Sequence, residues 1–189
     1  MCFREALSNA EKSGNIQEKG ELQGLLIDAL DAAGDDSAAE KLAKKMMADF
    51  PRSPVPFFKL GNQYRAKEKY ADAVKMYLMG LEIHPGFTNA LVNLAMCYRS
   101  MRKFDDSIAA YRRALIESPE RADIYVNFGV LLDSAGKVVQ IRIHCAAFSQ
   151  SHFSMQIEES EQAYRKAIKL DPYLYQASFY LYIAGELLR

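Results

Sequence analysis

The residues able to do chemistry are few and scattered. Cys2, Cys97 and Cys145 are the only thiols in 189 residues, far apart and without a C-x-x-C pair. Neither a disulfide framework nor a four-ligand zinc site is encoded. His144, Cys145 and His152 have ligand atoms, but no carboxylate joins them and their spacing matches no familiar ligand pattern, so no metal is expected. His84 stands directly before Pro85, in a predicted loop rather than beside a group it could activate. The carboxylate pairs Asp105/Asp106 and Glu158/Glu159 fall at predicted helix starts, where negative charge favours the helix dipole. There is no Gly-rich phosphate loop, no H-E-x-x-H and no G-x-S-x-G. The expectation is a protein that is not an enzyme and carries no cofactor.

Composition narrows the partners. Lys and Arg number 24, Asp and Glu 24, so the formal net charge is zero. A general nucleic-acid binder needs a basic face to displace counterions, and no such excess exists. No apolar run approaches the roughly 18 residues of a membrane span, and the chain turns polar at once after Met1, so neither a membrane segment nor a leader is read. No N-x-S/T sequon occurs, which points to the cytoplasm.

The elements that position these side chains follow a period. Pro51, Pro85 and Pro119 are 34 residues apart, and Pro172 follows after a further 34 plus 19. Leu26, Leu60, Leu94 and Phe128 keep the same step, as do Leu30, Tyr64, Tyr98 and Leu132. Ala39, Ala73 and Ser107 resume, displaced by 19, at Ser160; Tyr77 and Tyr111 resume at Tyr164. Each period reads as two amphipathic helices. Phe57, Leu60, Gly61 and Tyr64 form one helical stripe, Ala73, Tyr77 and Gly80 another, and Pro85 ends the second helix. Gly61, Ala95 and Gly129 are small where helices must approach, leaving grooves for an aromatic from the paired helix.

The spacing Phe57-x2-Leu60-Gly61-x2-Tyr64, followed by Ala73-x3-Tyr77-x2-Gly80-x4-Pro85, resembles the tetratricopeptide repeat. So does Tyr125-x2-Phe128-Gly129, with Tyr164 to Ala167 and Asp171-Pro172 further on. The resemblance implies an all-α fold, a right-handed α-solenoid of antiparallel helix pairs, about five repeat-lengths long. Residues 54–87 and 88–121 read as repeats, 122–174 as a repeat interrupted by an insertion at 138–156, and 20–53 as a degenerate repeat. In that degenerate repeat Ala43 replaces the tyrosine and Met46 the small residue. Residues 1–19 (Phe3, Ala6, Ala10) and 175–189 read as half repeats, their unstacked ends suggesting part of a longer array.

The resemblance implies a protein–protein interaction module that takes a partner peptide or helix in a concave groove lined by first helices. The groove candidates are Phe58, Lys59, Asn62, Arg65, Asn89, Asn93, Met96, Arg99, Asn127 and Val130. Glu21, Asp28, Asp31, Phe179, Tyr180 and Glu186 extend the same wall. Asn93 and Asn127 hold one repeat position, where Leu25 and Lys59 stand in the earlier repeats. This is similar to the asparagine ladder of the O-linked N-acetylglucosamine transferase repeats, and both side chains are expected to be exposed. Lys59 and Arg99 read as solvated groove charges. The alternative function is the substrate-recognition arm of a larger glycosyltransferase, of the O-GlcNAc or O-mannosyl type. The two-carboxylate clamp of chaperone-binding repeats would fall on Phe58, Asn62, Asn93, Asp123 and Asn127. Both amides are present and all three cations are missing, so chaperone C-terminal tails are not expected partners.

The insertion, Val138 to Gln156, contains no Asp or Glu and alternates at Val139, Ile141 and Ile143 like a strand. Removing it rejoins Gly136-Lys137 to Ile157 and restores the repeat. It reads either as a loop at the edge of the solenoid or as a retained intron, whose limits Val and Gln are compatible with GT…AG. The tyrosine-rich stretch Tyr173, Tyr175, Tyr180, Tyr182 reads as the cover of a stack end.

Overall fold

A computed structural model describes residues 16–143, 150–172 and Tyr180. The described residues are helical throughout, with no strand: α1 (Ile16–Ala32), α2 (Asp36–Asp49), α3 (Val55–Ala66), α4 (Tyr70–Ile83), α5 (Thr88–Ser100), α6 (Phe104–Glu117), α7 (Ala122–Ile143) and α8 (Gln150–Leu170). The chain divides into two compact units, Met1–Cys97 and Tyr98–Arg189, with α5 carrying the boundary. In the first unit α1 packs on α2, α2 on α3, α3 on α4, and α1 also lies against α3. In the second, α6 packs on α7 and α7 on α8. The half repeats at 1–19 and 175–189 lie outside the described residues except for Ile16 to Lys19 in α1 and for Tyr180.

Local signals set the helix limits. Asp35 caps α2 by accepting from the Ala38 N–H at 3.1 Å. Pro54 and Pro56 occupy the start of α3, where their missing N–H groups cost nothing. The pairs α1–α2, α3–α4 and α5–α6 are joined by the same turn. The Asp35 N–H donates to the Leu30 carbonyl, Lys69 to Tyr64 and Lys103 to Tyr98, all at 2.9 Å. One residue in each turn must then adopt positive φ: Gly34 at 77°, Glu68 at 58° and Arg102 at 58°. These positions are 34 apart, and only the first holds the residue that adopts this conformation freely.

The next position in that series is Gly136, where the insertion begins two residues later. No turn forms there. Helix α7 continues through Gly136 to Ile143, so Val139, Ile141 and Ile143 are helical and not strand-like. Once a helix is nucleated, each added residue gains a hydrogen bond at no further nucleation cost, and an isolated strand has no partner to pair with. Helix α8 likewise starts at Gln150, seven residues before Ile157, the repeat equivalent of Tyr70 and Phe104. His144 and Cys145 lie outside the described residues.

The core is built from small residues facing large ones. The Tyr77 ring of α4 lies flat on Gly61 of α3, where an added Cβ would sit 2.6 Å from the ring. Tyr164 of α8 occupies the same place on Gly129 of α7. Both tyrosines are fully buried, as are Ala73 and Ser160 beside them in sequence phase. The degenerate repeat inverts the sizes. Ile27 stands at the glycine position and Ala43 at the tyrosine position; both are wholly buried in one cluster with Ala39, Met46 and Leu60. Volume is conserved across the pair, which cores tolerate.

Two predictions follow from turn and core. Glu68→Gly and Arg102→Gly should each raise stability by up to about 1 kcal/mol by relieving a left-handed L-residue. A lowered denaturant midpoint in both would contradict that reading. Gly61→Ala should instead cost about 1–3 kcal/mol, because the Tyr77 ring cannot move away from a packed helix face; an unchanged midpoint would show that the contact is soft.

Candidate partner-binding site

First helices α1 and α3 lie side by side in the first unit, and polar side chains join them. Lys59 of α3 donates to both carboxylate oxygens of Asp28 on α1, at 2.5 and 2.6 Å. Its side chain is only 16% exposed, so it is an ion-paired strut and not the solvated charge expected from sequence. One turn further on, the Gln63 Nε2 donates to Asp31 at 2.8 Å. Burial raises the Asp31 carboxyl above its usual range, opposed by the Gln63 bond and reinforced by the nearby Asp36 and Asp28 carboxylates. Asp36 is itself held by Lys67 at 3.1 Å.

Asn62 and Asn93 are brought together. The Asn62 Oδ1 accepts from the Asn93 Nδ2 at 2.8 Å and from the Tyr77 hydroxyl at 2.7 Å. Arg65 stands close enough to favour the Tyr77 phenolate, but burial dominates and pushes the Tyr77 phenol up to about 12. Phe58 does not simply point away from the second helices: its ring lies 6.1 Å from that of Tyr77 and 5.0 Å from that of Phe87. Met96 is half-buried and Asn89 exposed. Cys97 is buried and desolvation pushes its thiol up to about 11, so it is an inert thiol at neutral pH.

In the second unit Asn127 and Val130 lie nearly one turn apart on α7. The Asn127 Nδ2 donates to the Asp123 carbonyl of its own helix at 2.9 Å, and Val130 packs against the cluster of Val126 and Ala167. Arg99 is half-buried. Asp123 is gripped by Arg121. Asn93 and Asn127 are both half-buried, and among the described residues Asn93 bonds Asn62 of a neighbouring helix whereas Asn127 bonds its own. The expectation of two equivalent, exposed rungs is corrected on both counts, because a side-chain amide beside an open acceptor satisfies itself within the fold. Phe179 and Glu186 lie outside the described residues.

The feature that sequence reasoning missed is a cavity of about 740 Å³ in the first unit. Gly20, Gly24 and Leu25 of α1, Met46 of α2, Phe50 just after α2 and Val55 of α3 form its apolar walls, with Glu21, Asp28 and Lys59 at its edge. Leu25 is 53% exposed there. Neither glycine is sterically required. An added Cβ would lie 3.6 Å from the Phe50 ring at Gly20 and 3.8 Å from Val55 at Gly24, ordinary contacts unlike that at Gly61. A glycine inside a helix costs roughly 0.5–1 kcal/mol relative to alanine, so both glycines weaken α1 without a steric reason. The pair of glycines four residues apart in a helical stripe was the available signal. Among the described residues, no group of three or more His, Cys, Asp or Glu is arranged to hold a metal, and no helix is long and apolar enough to cross a membrane.

This helix-pair geometry is that of a known class of interaction scaffold. Tetratricopeptide-repeat models match residues 58–122 and 92–139, and a second model of the same repeat matches 156–173. The chain belongs to the tetratricopeptide repeat family. Among curated proteins none matches the sequence significantly. Among solved structures it is similar to the MamA protein, at 21% identity and a TM-score of 0.69, over 89% of this chain and 82% of that one. It is similar also to the first repeat domain of Spaghetti (RPAP3) bound to an HSP90 peptide, at 18% identity and TM-score 0.58, covering 72% and 93%. The Arabidopsis OM64 repeat domain aligns at 13% identity and TM-score 0.57, covering 71% and 95%. Such identities speak for the fold alone.

The buried tyrosines give a discriminating test. The Tyr77 hydroxyl finds Asn62, fifteen residues earlier, and the Tyr164 hydroxyl donates to Asp133 at 2.8 Å. The Tyr111 hydroxyl is buried without a hydrogen-bond partner, and fifteen residues before it stands Met96, a thioether. Tyr77→Phe should cost about 1 kcal/mol, whereas Tyr111→Phe should be neutral or stabilising, since it removes an unsatisfied polar atom. Equal losses at both positions, measured by denaturant unfolding, would refute the assignment.

Proposed function

We propose that this protein is a non-enzymatic protein–protein interaction module that holds a peptide or helical segment of a partner on the face formed by its first helices. The observation that carries this reading is the open apolar cavity between α1 and α3, edged by the Asp28–Lys59 ion pair, with the hydrogen-bonded amides of Asn62 and Gln63 further along α3. Apolar pockets beside fixed amides suit a peptide, whose side chains need the former and whose backbone needs the latter. The similarity to a repeat domain bound to an HSP90 peptide supports peptide binding in general terms. It does not carry over that ligand. At the positions where a two-carboxylate clamp needs cations this chain has Phe58, Asp123 and Asn127, and Asp123 would repel a terminal carboxylate.

In the first unit the face would use Phe58, Lys59, Asn62, Arg65, Asn89, Asn93 and Met96; in the second, Arg99, Asn127 and Val130. The test is to pan the full chain against a display library of random twelve-residue peptides and to measure retained peptides by calorimetry. Peptides in the micromolar range are expected, with Asn93→Ala weakening them several-fold. That variant should also lose about 1 kcal/mol of stability, because it removes the bond to Asn62. A library from which the wild-type chain retains nothing would overturn the reading.

A further inference from the structure

Resting on that reading, we infer that the cavity in the first unit is the anchor site for a basic partner segment: a bulky aliphatic or aromatic side chain enters it, and a Lys or Arg within four residues lies on the acidic edge of α1. Three observations converge on this occupant. The first is shape. The cavity is large enough for a leucine, methionine or phenylalanine side chain with room for its neighbours, and its walls are Met46, Phe50, Val55 and the half-exposed Leu25. An apolar surface of this kind left in water is unfavourable and is relieved by an apolar guest.

The second is the pair of glycines. Alanine would fit at both positions, would strengthen the helix, and would narrow the cavity by a methyl group. A helix optimised for stability alone would carry alanine. A methyl group at Gly24 would touch Val55, and the room left there is explained by something that enters the cavity.

The third is charge. From Ile16 to Asp36 the chain carries Glu18, Glu21, Asp28, Asp31, Asp35 and Asp36 against a single cation, Lys19, which is held by Asp49. Lys59 and Lys67 from α3 and the turn after it neutralise Asp28 and Asp36, and Asp35 caps a helix. Asp31, one turn beyond the cavity, accepts a hydrogen bond from the neutral amide of Gln63 and feels the Asp36 and Asp28 carboxylates more strongly than the Lys59 ammonium, with Arg65 and Lys67 lining the same hollow. An arriving cation lowers that repulsion; an arriving carboxylate increases it. The edge is selective for basic over acidic segments.

The peptides retained from the random library provide the test. Sequences retained by the wild-type chain should be enriched in a bulky apolar residue with Lys or Arg within four positions. Their affinity should fall at least tenfold on Gly24→Leu, which fills the cavity, and several-fold on Gly24→Ala, which is expected to raise the melting temperature while weakening binding. Asp31→Asn keeps an acceptor for Gln63; it should leave melting unchanged or raised and lower affinity three- to tenfold, with a shallower dependence on salt. Retained peptides that lack basic residues, or that bind Gly24→Ala and Asp31→Asn as they bind the wild type, would overturn the inference. If those same peptides are weakened by Asn93→Ala, the face-binding reading stands and only the anchor site is wrong. If nothing is retained by the wild type, both fall.

Discussion

The contact on which most of the described structure depends is a tyrosine ring laid on a glycine. At Gly61–Tyr77 and again at Gly129–Tyr164 the two helices of a pair come so close that no side chain fits between ring and backbone. That approach fixes the ring. The fixed ring then carries its hydroxyl through the helix pair to the first-helix side, where it meets Asn62 in one unit and Asp133 in the other. A packing constraint thus decides which polar atoms stand on the inner face. Burial lifts both phenols, that of Tyr164 further because its hydroxyl donates to the Asp133 carboxylate, so each acts as a permanent donor and not as an acid.

Where the constraint is relaxed, the face changes character. The degenerate repeat has Ile27 for the glycine and Ala43 for the tyrosine, which preserves volume and deletes the hydroxyl. No tyrosine reaches the inner side of α1, and its lateral bonds are made instead by Asp28 to Lys59 and Asp31 to Gln63. These bonds tie α1 to α3 at their middle and far turns. Nearer the start of α1, Gly20, Glu21, Gly24 and Leu25 line the cavity together with Phe50 and Val55. Degeneracy of the repeat and the presence of the cavity coincide in the same helix.

Much of this was legible in the sequence because packing writes periodically. A 34-residue step in Leu60, Gly61, Tyr77 and Pro85 specifies which residues meet, and the family, the helix pairs and the small-on-large contacts follow from it. What the step does not specify is how a polar side chain resolves its own hydrogen bonds. Asn93 and Asn127 share a repeat position, yet one bonds Asn62 and the other the backbone of its own helix. The cavity was hidden for a related reason: an empty volume is set by residues from three helices at once, and only the glycines of α1 mark it.

The insertion shows the limit of reading local preference without context. Val139, Ile141 and Ile143 alternate as a strand would, and in isolation that preference would count. They continue α7, whose preceding turns are already formed, so extending the helix needs no new nucleus and pairs each added N–H with a carbonyl four residues back. Gly136 sits where Gly34, Glu68 and Arg102 turn the chain, and of these four it is one of only two glycines. A residue suited to the turn therefore yields to helix propagation when the residues after it no longer bring the second helix back in phase. The turn at Glu68 forms despite an unfavourable residue, since Tyr70 and Tyr77 follow at the spacing the core requires. Tertiary packing, and not the turn residue, decides whether a pair of helices closes.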